Sequence, residues 1–501
     1  MSWIPQAINY EINLRALSAR DPRNPIEAAT EQEMTASPLS YLIRNLDVIK
    51  MLGVTVLHLM PPFPIGRKQR KGIGSPYAVR NYQDIEEEFG SLKEMKAFVR
   101  AAHLLEFKVI LGMVPNHTSR DHVWTISNPE YYLRRANGSP DHDFDWSDTS
   151  KLDYTQAGLR KAMIETFDFW LGVLEPNEDG VSDGFDGFRM DMAHLINDLS
   201  FWNEAIEELR KRHPERQLLF LAECYGMDNN LNLFDRGFDA AYDDDFYKVC
   251  EYLYGVDESE QTCVLPSPEA PSNENFKELF NAFQSRGIAG AMEKVLLGYE
   301  TQLPSGAEAP RLVRYTDNHD EGRGVYRFGD GAVLAVNQLL FLSAHTIPFL
   351  FAGQEFGASN RPSIHQRIGV CSKSQRIRNG ESTIERPGIE FEGNLFARGR
   401  LRRKGWYAFY RELIALRLQC PELLHGDFSL LEPGEKCPQN QRTVIAFQRK
   451  YQDSVLRCAV NLGPEPRKLS HSKLFHREPL YGGLDKGVMA PFTSIVVRTS
   501  M

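Results

Sequence analysis

Three short segments of this chain gather the residue types that acid–base chemistry uses: Gly187-Phe188-Arg189-Met190-Asp191, Ala222-Glu223 and Asn318-His319-Asp320. They follow or end the apolar runs Phe185 to Met190, Leu218 to Ala222 and Leu312 to Thr316, each of the kind buried on both faces of a parallel sheet. Charged residues at the ends of such strands belong at a mouth, not in a core. Breaking an acetal bond requires a proton for the departing oxygen and a negative group facing the oxocarbenium-like carbon. Two carboxyl groups with different pKa values must therefore flank one site. Asp191 and Glu223 are candidates for that pair. Arg189 stands two residues before Asp191, and strand alternation puts both on one face, so its guanidinium can hold that carboxylate ionised and oriented.

These segments need a frame that brings strand ends together. Strand-like runs lie near 6–12, 54–60, 107–113, 185–190, 217–222, 237–241, 311–316 and 347–352, with helical patterns between most of them, such as Leu92 to Leu105, Gly158 to Leu174 and Phe201 to Arg212. Eight strands in βα order predict an α/β fold, a (β/α)8 TIM barrel whose function sits at the C-terminal strand ends. Residues 1–116 and 156–405 form the expected barrel. The aromatic, Asp-rich stretch 117–155 is too long for an ordinary βα loop and reads as an inserted subdomain after the third strand, leaning over the mouth. Residues 406–501 supply the last barrel helix and then β-like runs (Thr443 to Gln448, Leu456 to Val460, Thr493 to Val497) that predict an antiparallel β-sandwich.

Length and composition fit one large α/β domain with a smaller partner: 501 residues, 42% apolar and 25% charged. A net charge of -9 argues against nucleic acid, whose phosphates attract a basic stripe. The start, Met1-Ser2-Trp3-Ile4-Pro5, does not read as a signal peptide and no window reaches the length of a membrane span, so a cytoplasmic location is expected. Seven scattered cysteines without CxxC spacing fit reduced thiols better than a disulfide frame or zinc site. The runs Arg67 to Lys71 and Asp243 to Asp245 read as a solvated loop and a solvated rim.

With these motifs assembled, the chain resembles the α-amylase superfamily of glycoside hydrolases over almost its whole length. Val114-Pro115-Asn116-His117, Gly187 to His194, Glu223 and Asn318-His319-Asp320 match the family's four signature regions in order. Ala352-Gly353-Gln354-Glu355 and Trp406 to Arg417 are also similar to it. The resemblance implies Asp191 as nucleophile, Glu223 as general acid/base and Asp320 as the carboxylate that binds sugar hydroxyls and stabilises the transition state. It also implies His117 and His319 as contacts to the sugar, Tyr77 as the stacking platform beneath it, and His194 as a structural or subsite contact. The implied activity is retaining, α-amylase-like hydrolysis of α-1,4-linked maltooligosaccharides. An α-glucan transglycosylase shares the same residues, and a non-catalytic glucan-binding scaffold is the alternative of another class.

Three departures from the family pattern stand out. Gly112 replaces its usual Asp, five residues before His117, and is expected to leave a gap below the site that ordered water fills. Ala78 follows Tyr77 where many members have Asp. Lys151, in Ser150-Lys151-Leu152-Asp153, stands where calcium-binding members place Asp, so no cofactor and no structural calcium is expected. The oligomeric state is not readable from the sequence.

Overall fold

The computed structural model describes residues 2–17, 37–176, 183–257, 262–264, 277–304, 306, 308–358, 361–365, 368–373, 384–390 and 404–500. Eight parallel strands close into a barrel: β1 (Asn9–Ile12), β2 (Val56–Leu59), β3 (Lys108–Met113), β4 (Gly187–Met190), β5 (Leu219–Ala222), β6 (Ala240–Tyr242), β7 (Arg311–Arg314) and β8 (Thr346–Phe351). Closure comes from β8 pairing with β1, with Asn9 opposite Phe349 and Glu11 opposite Phe351. No strand is left with an open edge, so every barrel strand finds hydrogen-bond partners on both sides.

Local sequence explains where the helices between them begin. Ser37 caps helix Pro38–Leu52 through its Oγ, which accepts from Ser40 N at 3.1 Å, and Pro38 fills the first turn, where its missing N–H costs nothing. Ser91 and Glu94 make a capping box at Leu92–Leu104, with Ser91 Oγ accepting from Glu94 N at 3.3 Å. The apolar stripes of these helices pack on the barrel. Trp170, on helix Ala157–Leu171, is fully buried and donates from Nε1 to Tyr82 O at 2.7 Å. Removing an aromatic of that size from water contributes about 4–6 kcal/mol as an upper bound.

After β3 the chain leaves the barrel. His117–Ser119 and Thr149–Lys151 pair as a short antiparallel ribbon, and the loop between them folds over the strand ends. At the far end, helix Lys404–Gln419 leads into a five-stranded antiparallel sheet that includes Val444–Tyr451, Ser454–Asn461 and Ser494–Ser500. A two-stranded ribbon, Arg467–Lys468 with Val488–Met489, packs across it through Leu469 and Met489, against Val444, Ala446, Ile495 and Val497. This is a small sandwich. It is fixed to the barrel by Arg449, which donates to Leu342 O at 3.2 Å, and by Ser494 Oγ, which donates to Gln338 Oε1 at 2.6 Å.

One sequence reading is corrected here and another is qualified. Asp243 to Asp245 is no solvated rim: Asp243 is fully buried, caps helix Asp244–Leu253 by accepting from Phe246 N, and accepts from Arg314 Nε at 2.7 Å. A run of acids at a helix start serves the unpaired N–H groups there, which charge counting alone does not reveal. The basic run 67–71 is mostly exposed, but Lys71 turns inward and donates to Asp145 O at 2.7 Å. Among the described residues no helix is long and apolar enough to cross a membrane.

Candidate active site

The ends of β4 and β5 are pinned before any side chain is considered. Asp191 N donates to Met113 O at 2.8 Å, Glu223 N to Met190 O at 2.9 Å, and Ala193 N to Glu223 O at 2.9 Å. Gly187 starts β4 with φ 152°, and a Cβ there would lie 2.0 Å from Leu219 O, so only glycine lets the two strands approach.

Arg189 and Asp191 then share one face, and Arg189 Nη1 donates to Asp191 Oδ1 at 2.8 Å. Nη2 of the same guanidinium lies 2.7 Å from Glu223 Oε1, an ion pair off the ideal hydrogen-bond direction. Met192 N donates to Glu223 Oε2 at 3.0 Å and Tyr225 OH to Oε1 at 3.3 Å. All three charged groups are buried. Burial, and then the Glu223 carboxylate beside it, push the Asp191 carboxyl well above the usual range, while Arg189 pulls it down.

Asp320 follows β7 on the opposite wall. His319 Nε2 is 3.0 Å from Asp320 Oδ2 and 2.6 Å from Tyr77 OH, and the Tyr77 and His319 rings stack at 5.3 Å and 13°. Burial opposes ionisation of Asp320, but the charge and hydrogen bond of His319 outweigh it and hold this carboxyl below the usual range. His117 sits at the start of the inserted ribbon, where Tyr82 OH donates to Val114 O and Tyr154 OH to Pro115 O, each at 2.6 Å, and fix the turn before it. Its ring is buried, which lowers its pKa to about 4 and keeps it neutral at neutral pH.

Tyr77, His117, Asp191, Glu223 and Asp320 all line one cavity of about 490 Å³, with Arg189 and His319 directly behind it. The structure thus brings together seven of the eight residues singled out from sequence. His194 lies aside, its ring edge-on to Tyr225 at 5.9 Å. Sequence reasoning missed much of the rest of the wall, in which Lys71, Phe144, Trp146, Met192 and Tyr225 take part. It also missed Glu11 and His58, buried charged or polar residues on runs read only as strand-like. A carboxylate within a buried strand is itself a signal, because such a group needs a partner.

The expectation of a gap at Gly112 is overturned. Gly112 lies opposite Arg189 in the β3–β4 register, yet a Cβ there would come within 2.9 Å of Pro61 Cδ and 3.0 Å of Leu59 O. Pro61 and the backbone after β2 already fill the space. Lys151 supplies a cation of its own in the inserted ribbon. Lys151 Nζ donates to Asp143 Oδ1 at 2.6 Å and Asn116 Nδ2 to Asp143 Oδ2 at 2.8 Å, so both carboxylate oxygens face donors. Calcium takes about six to eight oxygen ligands, and here the Lys151 ammonium already pairs with Asp143.

A closed parallel barrel with paired carboxyls, a bridging arginine and a third carboxylate at its strand ends defines a barrel enzyme built for acid–base work. The family model described as alpha amylase, catalytic domain, matches residues 33–148 and 141–386. The chain belongs to the α-amylase family of glycoside hydrolases. It is 23% identical to alpha-amylase 3 of Dictyoglomus thermophilum, over 99% of this chain and 94% of the relative. It is 27% identical to an alpha-1,4-glucan:maltose-1-phosphate maltosyltransferase of Picrophilus torridus, over 40% of this chain and 33% of the relative. An alpha-amylase from Lactobacillus plantarum shares its fold, with a TM-score of 0.69 at 21% identity and full coverage of both chains.

Proposed function

We propose that the protein hydrolyses α-1,4-linked maltooligosaccharides with retention of configuration. The observation that carries this reading is the buried Arg189 guanidinium, directly behind one cavity, in contact with both Asp191 and Glu223 of its lining. Asp191 attacks the anomeric carbon while Glu223 gives its proton to the leaving glycosidic oxygen. Water, deprotonated by Glu223, then breaks the glycosyl–Asp191 ester. This order of events requires Asp191 to be ionised when it attacks and Glu223 to carry the proton it gives, with Arg189 stabilising the Asp191 carboxylate. Asp320, held ionised by His319, faces the developing positive charge, and Tyr77 offers its ring to the sugar.

A second reading follows from the wall beside Glu223. Met192 and the half-exposed Tyr225 line the cavity there, and an apolar, aromatic surface favours a sugar acceptor over water, which supports glucan transfer as a competing second step. The Lys151–Asp143 contact supports function without calcium, and the buried thiols support a reducing, cytoplasmic setting. Incubation with maltoheptaose, followed by chromatography and proton NMR of the first products, tests the proposal. Shorter α-configured products are expected, and products longer than the substrate identify transfer. β-configured products, or none with any α-glucan, refute it.

A further inference from the structure

Glu11 lies on β1 with no exposure at all, among strand residues that are otherwise apolar or neutral. Its Oε1 accepts from His319 Nδ1 at 2.7 Å, and its Oε2 accepts from His319 N at 3.2 Å. One carboxylate therefore holds both the ring and the backbone of His319. We propose that Glu11 is a positioning residue that keeps His319 as an imidazolium against Tyr77 and Asp320, and so sets the net negative charge beneath the sugar.

The argument is one of partners and charge. An imidazolium is a donor at both nitrogens, and both nitrogens of His319 face acceptors: Glu11 on one side, Asp320 and the Tyr77 hydroxyl on the other. A buried carboxylate without a cation would protonate, and a buried imidazolium without carboxylates would lose its proton. Each group here supplies what the other requires.

Other groups face this pair. His58 Nδ1, on β2, lies 3.9 Å from Glu11 Oε1; burial lowers its pKa to about 3, so it stays neutral. Arg189 on β4 and Tyr242 on β6 act on Glu11 from across the barrel, and Arg361 Nη1 donates to His319 O at 2.5 Å. With Glu11 and Asp320 negative and His319 positive, the three carry one net negative charge, which suits an oxocarbenium-like transition state. His319 is accordingly raised to about 10: burial works against the charge, and Asp320 and Glu11 outweigh it.

Glu11→Gln keeps the shape and an acceptor but removes the charge. The catalytic part of this proposal rests on the glycosidase reading, so the test separates the two. In ¹⁵N-histidine NMR of the native protein, His319 is expected to stay protonated to about pH 9, beyond an ordinary histidine's 6.5 or so. In Glu11→Gln it is expected to titrate at least tenfold more readily in proton concentration, about one pH step lower. kcat/KM on maltoheptaose should fall about 10- to 100-fold, with the alkaline limb moved to lower pH. A native His319 that titrates like an ordinary histidine overturns the proposal, and that measurement requires no variant. So does a Glu11→Gln protein with unchanged titration and pH profile. If His319 behaves as stated while no α-glucan is turned over, the pairing stands and the glycosidase reading fails.

Discussion

Lys151 Nζ lies 2.6 Å from Asp143 Oδ1, so an ammonium pairs with the carboxylate that joins the inserted ribbon to Asn116. A lysine held this way cannot be removed by a chelator. Melting temperature and activity should be the same with EDTA as with calcium, as read by differential scanning fluorimetry and maltoheptaose turnover. Lys151→Ala should lower the melting temperature, because it leaves Asp143 without its cation. A melting temperature that falls with EDTA and returns with calcium would show that a metal competes for this place.

Gly112 and Pro61 are packed so closely that strand β3 has no room for a side chain at that point. Gly112→Ala should therefore destabilise the protein by about 1–3 kcal/mol through overpacking, and Gly112→Asp by more, since it adds a buried charge. Urea unfolding checks this. A neutral or stabilising Gly112→Ala would show that the backbone after β2 yields easily.

The barrel was legible in the sequence because most strands carry an apolar run and most are followed by a helix with an amphipathic stripe, two periodicities that the chain itself displays. The site was legible where charges stand at strand ends: Arg189, Asp191, Glu223, His319 and Asp320. Glu11 was not, since its partner is 308 residues away, and only the closure of β8 on β1 brings strand one under strand seven. Lys71 and Phe144 were hidden for a related reason. They sit in loops whose path over the mouth depends on contacts such as Lys71 with Asp145 O, which no local pattern encodes. Gly112 shows the opposite limit, because a missing side chain says nothing about whether a neighbour has filled its place.

Four buried histidines should make the fold sensitive to acid. Burial lowers His58, His122 and His345 to about 3 and His117 to about 4, against about 6.5 in the unfolded chain. Between those values the unfolded state binds more protons, so stability rises with pH from about 4 to 6.5 and is lost as pH falls through that window. His103 has the opposite sign. Burial opposes its charge, but hydrogen bonds to Asp183 and Asp186 raise it to about 9, so its contribution is complete below about 6.5 and lost as pH rises through 9. Urea unfolding across this range should show a maximum near neutrality, and His103→Gln should flatten its alkaline side. An alkaline slope unchanged in His103→Gln would remove His103 from this account.

The most direct test of the central claim is to trap the sugar on its nucleophile. With α-maltosyl fluoride the first step is attack by Asp191 on the anomeric carbon and departure of fluoride, which requires little help from an acid. The second step requires Glu223 to deprotonate water. Glu223→Gln should therefore accumulate a glycosyl ester, and peptide mass spectrometry after acid quench should place one added maltosyl group on the peptide that contains Asp191. A maltosyl group on another residue, or no adduct alongside steady hydrolysis of the fluoride by this variant, would contradict the account.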